Sequence, residues 1–246
     1  KPYSEICERD LLDVVKYAME TCPPYVRLPR VIRDIPNSYI EGGNQYPNLR
    51  QMLDAELKKE GKYSMDIRNR ECGRHPEYKL DDADYVTREY SYVNGKHTDY
   101  FISAESRDRK VIFGFLRLRI PIREFRKPAF ECLQDCALIR ELHVYGEVVP
   151  VGFSKENVSQ HKGVGTKLLK MAEDCAYYRG NLQKVAVISG IGVKGFYEKY
   201  NYKETGMDDG DFLIKDITDE YGHVPLKYRV VMGIIFCCLM ILYYYL

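Results

Sequence analysis

The feature that most limits the fold is a strand pattern that breaks at a glycine-bearing helix entrance and resumes beyond the helix. "CALIRELHVYG" (residues 136–146) reads as a strand, "GVGTKLLKMAEDCAYY" (163–178) as a turn and helix, and "KVAVISG" (184–190) as another strand. Val185 to Ile188 form an unbroken apolar run, which suits a strand covered on both faces. Val164, Leu168, Ala172 and Cys175 recur at helical spacing and mark the stripe that faces the core. Ahead of this unit, "DADYVTREYSYV" and "HTDYFISAES" predict a hairpin around Asn94-Gly95. "KVIFGFLRLRI" then alternates, with Ile112, Leu116, Leu118 and Ile120 on one face. Behind it come a short helix at "VKGFYEKY" and a final strand from about Tyr202. Antiparallel strands followed by strand–turn–helix–strand–helix–strand predict an α+β domain with a mixed sheet flanked by helices.

The two ends of the chain read differently. From Lys1 to about Gly61 the pattern is short helices broken by prolines. "ERDLLDVVKYAMET" places Leu11, Leu12, Val15 and Ala18 at helical spacing and stops before Pro23-Pro24. "YPNLRQMLDAELKKEGK" reads as a second helix closed by Gly61. Arg27, Arg30 and Arg33 stand three residues apart between them. The piece is short for a complete domain and the chain opens on Lys1, so the expectation is a protein whose N-terminal portion is missing. At the other end, "VVMGIIFCCLMILYYYL" (230–246) carries no charge and follows Lys227 and Arg229. As a helix it is about 25 Å long, near the lower limit of a bilayer span. It reads as a tail anchor that holds the rest of the protein on the cytosolic side of an outer mitochondrial or endoplasmic reticulum membrane. The alternative is a buried C-terminal helix.

A formal net charge of +1 excludes a global pull toward nucleic acid, so such binding requires a local patch. The eight cysteines show neither paired metal-ligand spacing nor a compact disulfide framework, which points to a reducing compartment. Cys132 and Cys136 could lie one turn apart on a helix, but no second pair completes a metal site.

In Gln160-x-x-Gly163-x-Gly165 the missing side chains let backbone N–H groups close on a bulky anion. The adjoining helix adds its N-terminal partial positive charge, so a phosphate or pyrophosphate fits there. His161 and Lys162 stand beside it, ready to meet negative charge. A tight left-handed turn with no ligand explains the same glycines. A dinucleotide fingerprint does not, because its third glycine position is Leu168 and antiparallel strands precede.

This loop between two sheet strands resembles the acyl-CoA pyrophosphate loop of the GCN5-related N-acetyltransferase (GNAT) superfamily. "GFYEKYNY" (195–202) is similar to the F-Y-x-K-x-G-F element downstream in that superfamily, with Asn201 in place of the glycine. Asparagine tolerates the left-handed conformation such a turn needs. The resemblance puts Tyr197 near the thioester sulfur, where a phenol of ordinary pKa near ~10 can lend a proton to a departing thiolate. A core tyrosine in an amphipathic helix is the plainer reading.

Longer stretches narrow the resemblance. "IRELHVYGEVVPV" (139–151), "KVAVISGIGVKGFYEKYNY" (184–202), "FGFLRLR" (113–119) and "CPPYVRLPRVIRDIPNSYIEGGNQYPNLRQ" (22–51) look like the catalytic-subunit family of Elongator, elongator complex protein 3. In that family a radical S-adenosylmethionine (SAM) domain with a 4Fe-4S cluster precedes a GNAT domain. Together they install a carboxymethyl-type group on C5 of the tRNA wobble uridine, with acetyl-CoA as carbon source. The resemblance implies a radical SAM remnant and linker over 1–78 and a GNAT domain over 79–216; the polar linker over 217–229 and the anchor over 230–246 are additions that most members lack. It implies an acyltransferase whose partners are tRNA and the other Elongator subunits, and the C-terminal run adds a membrane as a third expected partner. Glu141, Leu142, His143 and Val144 would lie along the acetyl-pantetheine arm, with Gln160, Gly163, Val164, Gly165 and Thr166 at the pyrophosphate. Tyr197 would touch the cofactor as catalytic acid, and Arg27, Arg30 and Arg33 would grip tRNA phosphates. His143 serves equally as a half-buried structural histidine, and the arginines equally as a solvated face. The three cluster cysteines have no counterpart, and "SMDIRNRECGRH" (64–75) keeps only Cys72 and His75 of a linker zinc site, so no metal is expected. The remaining readings are lysine N-acetylation of protein, also attributed to the family, and a membrane-anchored scaffold without catalysis.

Overall fold

A seven-stranded mixed sheet organises most of the chain, in the order β1-β2-β3-β4-β5-β7-β6. Its strands are β1 (Ala83–Ser91), β2 (His97–Ser106), β3 (Ile112–Pro121), β4 (Cys136–Val144), β5 (Lys184–Ile188), β6 (Lys203–Glu204) and β7 (Phe212–Asp216). The computed structural model describes residues 6–29, 31, 39, 46–91, 95–125, 128, 130–145, 163–206 and 211–221. The chain divides into two compact units, residues 1–79 with 106–112, and residues 80–105 with 113–246.

In the second unit, β4 pairs antiparallel with β3 and parallel with β5, and β7 pairs antiparallel with both β5 and β6. The apolar run of β5 is buried over Val185–Val187, as a strand with neighbours on both edges and cover on both faces must be, but its expected last member, Ile188, is exposed at the strand end. α4 (Val164–Tyr178) crosses from β4 to β5 and buries Val164, Leu168, Leu169, Ala172, Cys175 and Ala176. Glu173 is buried on the same helix, because Lys215 and Tyr202 donate to its carboxylate at 2.9 and 3.1 Å. α5 (Lys194–Glu198) and α6 (Thr218–Tyr221) complete the unit.

The final strand expected from about Tyr202 is two strands, the two-residue β6 and then β7, which inserts between β5 and β6. Cys132 and Cys136 do not share a helix. Cys132 lies in a single tight turn, Cys136 opens β4, and the Cys136 thiol donates to the Cys132 carbonyl at 3.3 Å.

The first unit holds α1 (Glu8–Glu20), α2 (Leu49–Lys59) and α3 (Ile67–Arg70). Met19, Leu49, Leu53 and Leu57 form its core, with Leu12, Val15 and Leu28 packed against them. Asp66 caps α3 by accepting from Arg68 N at 3.0 Å, and it pairs with the buried Arg50 guanidinium at 2.8 Å.

The transmembrane helix and the membrane location built on it are corrected. Among the described residues no helix is long and apolar enough to cross a membrane, and residues 230–246 lie outside them. The architecture of the described residues is the mixed sheet with its helices.

Candidate acyl-CoA site

The site begins where β4 outlasts its neighbour. β3 and β4 pair from Gly114↔Val144 to Arg119↔Leu138, with Arg117 opposite Glu141 and Leu118 opposite Ile139. Arg140 is therefore the extra residue of a β-bulge, which bends the strand and re-aims the residues beyond it. Its guanidinium lies 3.7 Å from the buried Asp99 carboxylate, to which Arg119 donates at 2.7 and 2.8 Å. β5 pairs with β4 only from Cys136↔Lys184 to Ile139↔Val187 and ends at Ile188. From Arg140 to Val144 the edge on the β5 side pairs with no strand among the described residues. This open edge lies at the carboxyl end of a parallel pair, where ligands of α/β sheets commonly bind.

The side chains of this stretch are committed to the fold in different degrees. Arg117 donates to Glu141 across the strands at 2.9 Å. The exposed His143 ring stacks on Phe115, with centroids 5.8 Å apart and planes at 17°, and meets Tyr145 at 4.5 Å. Leu142 and Val144 are half-buried.

The start of α4 abuts the end of β4. An added Cβ at Gly165 would stand 3.5 Å from Val144 and 3.4 Å from Phe196 of α5. Gly163 is the N-cap, at φ 102° and ψ −16°, with no side-chain cap. The first helical bond runs from Lys167 N to the Gly163 carbonyl at 2.8 Å. The amides of Val164, Gly165 and Thr166 are thus the helix's own orphan donors, and they converge with its dipole on one place.

Tyr197 belongs to α5, the helix that packs on this entrance. It is 5% exposed and sits against Phe196 and Tyr202, with centroids at 5.1 and 5.7 Å. Burial pushes its phenol up to about 12. Thr166 Oγ1 and Tyr200 Oη share a hydrogen bond of 2.6 Å, which ties α4 to the residues after α5. Asn201 adopts φ 66°, the left-handed conformation expected of it.

Against known proteins, 208 residues (83% of this chain) are 36% identical to Elongator complex protein 3 of Bos taurus. The Saccharomyces cerevisiae protein of that name is 34% identical over 218 residues, 87% of this chain. The homologues of this chain are Elongator complex protein 3. The chain spans under two-fifths of the length of these curated relatives, 37% and 38%. An N-terminally truncated Elp3 of the archaeon Methanocaldococcus infernus matches 85% of this chain at 32% identity and a TM-score of 0.69, over 48% of that structure. No family model matches.

Arg27 belongs to the first unit, and its guanidinium donates to Glu71 at 3.2 and 3.3 Å. Arg30, Arg33 and Gln160 lie outside the described residues. Among those described, no group of three or more His, Cys, Asp or Glu could hold a metal ion. Cys72 is half-buried, with its thiol shifted up by burial, and His75 Nε2 contacts the Asn69 carbonyl at 2.8 Å. The described residues do not fit an iron–sulfur cluster.

Sequence reasoning missed Gly114. An added Cβ there would meet the His143 carbonyl oxygen at 3.0 Å and Val164 Cγ1 at 3.1 Å, so a side chain there would push the helix start and the β4 end back from β3 by a few tenths of an ångström. The interruption of "FGFLRLR" by a glycine was the available signal.

Proposed function

We propose that this chain binds acetyl-CoA along the outer half of β4 and at the start of α4, and that it serves C5 modification of the tRNA wobble uridine. The observation that carries this reading is the open β4 edge ending beside the uncapped amides of α4. One long ligand suits both surfaces, because an amide-bearing arm can pair along a strand edge while a pyrophosphate sits at a helix start. Homology to Elongator complex protein 3 supports a role in tRNA modification, with tRNA and the other Elongator subunits as partners.

Acetyl-CoA would supply its acetyl carbons as an activated thioester. The protein's part is positional and protic. The backbone of Glu141–Val144 aligns the arm, and Val164, Gly165 and Thr166 fix the pyrophosphate. Tyr197 keeps its proton at neutral pH, so it suits donation to a departing thiolate rather than proton abstraction. Glu141 is occupied by Arg117 and is not the base.

The test measures acetyl-CoA binding and hydrolysis by the whole chain, with and without tRNA. The expected result is hydrolysis that rises with tRNA and is lost in Gly165→Glu, whose carboxylate would occupy the anion position. Absence of acetyl-CoA binding, or hydrolysis indifferent to tRNA, overturns the reading. Acetyl transfer to a lysine peptide without tRNA would assign protein acetylation instead.

A further inference from the structure

The first unit contains a cavity of about 540 Å³ that the acyl-CoA reading leaves unused. Its size falls within the range of small-molecule sites, about 300–1,000 Å³. Lys58, Lys62, Arg74 and Lys110 line it, against the carboxylates of Asp54 and Glu77. Separate pieces of chain bring these cations together. Lys58 lies in the last turn of α2. The chain then reverses at Gly61, where Gly61 N donates to Lys58 O at 3.1 Å and Lys62 N to Leu57 O at 2.8 Å. That pair of hydrogen bonds returns Lys62 and Tyr63 to the cavity wall. Arg74 comes from the turn over Cys72–Arg74, and Lys110 from the β2–β3 connection.

A fifth cation in the lining, Arg70, is buried and donates to the Met65 and Pro24 carbonyls, and the other four are not equally spent. Lys62 is held by Glu20 at 2.9 Å and Glu60 at 3.5 Å. Lys110 reaches Asp108 only at 3.9 Å, through side chains that are both over 40% exposed, and such a pair holds weakly. Asp108 is meanwhile engaged by Ser106 and Tyr78, each donating at 2.7 Å. Lys58 and Arg74 make no ion pair with a described residue. The two acids have partners inside the cavity: Asn69 donates to Asp54 at 2.6 Å, and His75 stands 3.6 Å from Glu77. Beside the cations is an aromatic plane. The Tyr63 ring is 46% exposed, with the Lys110 ammonium 4.6 Å from its centroid.

We infer that this cavity is a nucleotide site, in which Lys58, Arg74 and Lys110 meet a phosphate and Tyr63 stacks the base. Inorganic phosphate would leave most of the volume empty and the aromatic plane unused. A mononucleotide uses the cations, the plane and the volume together. Its source is either a free nucleotide or one unit of an RNA strand, since the phosphate and base chemistry is shared.

The experiment titrates the whole chain with UMP, AMP, uridine and a uridine pentanucleotide, in wild type and in Lys58→Glu/Arg74→Glu. The expected result is nucleotide binding that weakens with salt, at least tenfold weaker binding of uridine, and at least tenfold loss in the double variant at an unchanged melting midpoint. Lys110→Gln, a milder surface change, is expected to weaken binding about threefold and replaces the double variant if that one fails to fold. Binding of the mononucleotides alone assigns a free nucleotide, and binding of the pentanucleotide alone assigns a strand. Failure of every phosphate-bearing probe to bind overturns the inference, as does uridine binding as tightly as UMP or binding unchanged in the variants.

Discussion

The inner and outer halves of β4 do different work on one strand. Leu138 and Ile139 pair with β3 on one side and β5 on the other, and Ile139 is buried. Among the described residues Glu141–Val144 pair with β3 alone, and Glu141 and His143 are exposed. A strand bonded on both edges has no backbone group left for a ligand, whereas an open edge offers a row of donors and acceptors. The change occurs at a single bulged residue, Arg140, and at the point where β5 stops. The lesson is that an open strand edge can be made by ending a neighbour early.

Three substitutions test this contrast. The largest effect is expected at the inner half. Ile139→Ala should cost about 2–5 kcal/mol of stability through the cavity it leaves, read by urea denaturation. A loss below about 1 kcal/mol would mean that the paired half is not core. Next comes Tyr197→Phe, expected to slow acetyl-CoA hydrolysis about 100-fold, with affinity and neutral-pH stability nearly unchanged. A fall in affinity equal to the fall in rate would make Tyr197 a wall rather than an acid.

The same variant carries a pH signature. Tyr197 titrates near 12 in the folded chain and near ~10 when unfolded, so its neutral form contributes stability in full below pH ~10. That contribution fades as pH rises through the folded value. Wild type should therefore lose stability more steeply than Tyr197→Phe between pH 10 and about 12. Parallel alkaline unfolding curves would rule out this burial effect. The smallest change is expected from Arg140→Ala. Its ion pair is long and half-exposed, so stability should fall by less than about 1 kcal/mol. A larger loss would show that the bulge depends on the Asp99 contact.

Much of this arrangement was legible in the sequence. The order of strands around "GVGTKLL" and the covered run, except its exposed last member Ile188, follow from local patterns, and the left-handed Asn201 from the family motif that has glycine there. The bulge was not, because it exists only in the register between two strands. The early end of β5 was hidden for the same reason, since pairing depends on a neighbour distant in sequence. β6 has two residues, too few for an alternation, so it and β7 read as one strand. Gly114 looked like a gap in a pattern until Val164 and the His143 carbonyl appeared beside it. At the C-terminus the uncharged run spoke through composition alone, and composition fixes neither burial nor partner.

Gly163 has one further consequence. Nothing lies within 4 Å of where its Cβ would stand, yet its backbone sits at φ 102°. The filter at this position is handedness, not size. L-alanine would fit the space and still strain the turn, whereas D-alanine, introduced by chemical ligation, takes that conformation as its own mirror-image preference. The mouth of the helix strains L side chains by their chirality and is open to the reflections of many of them.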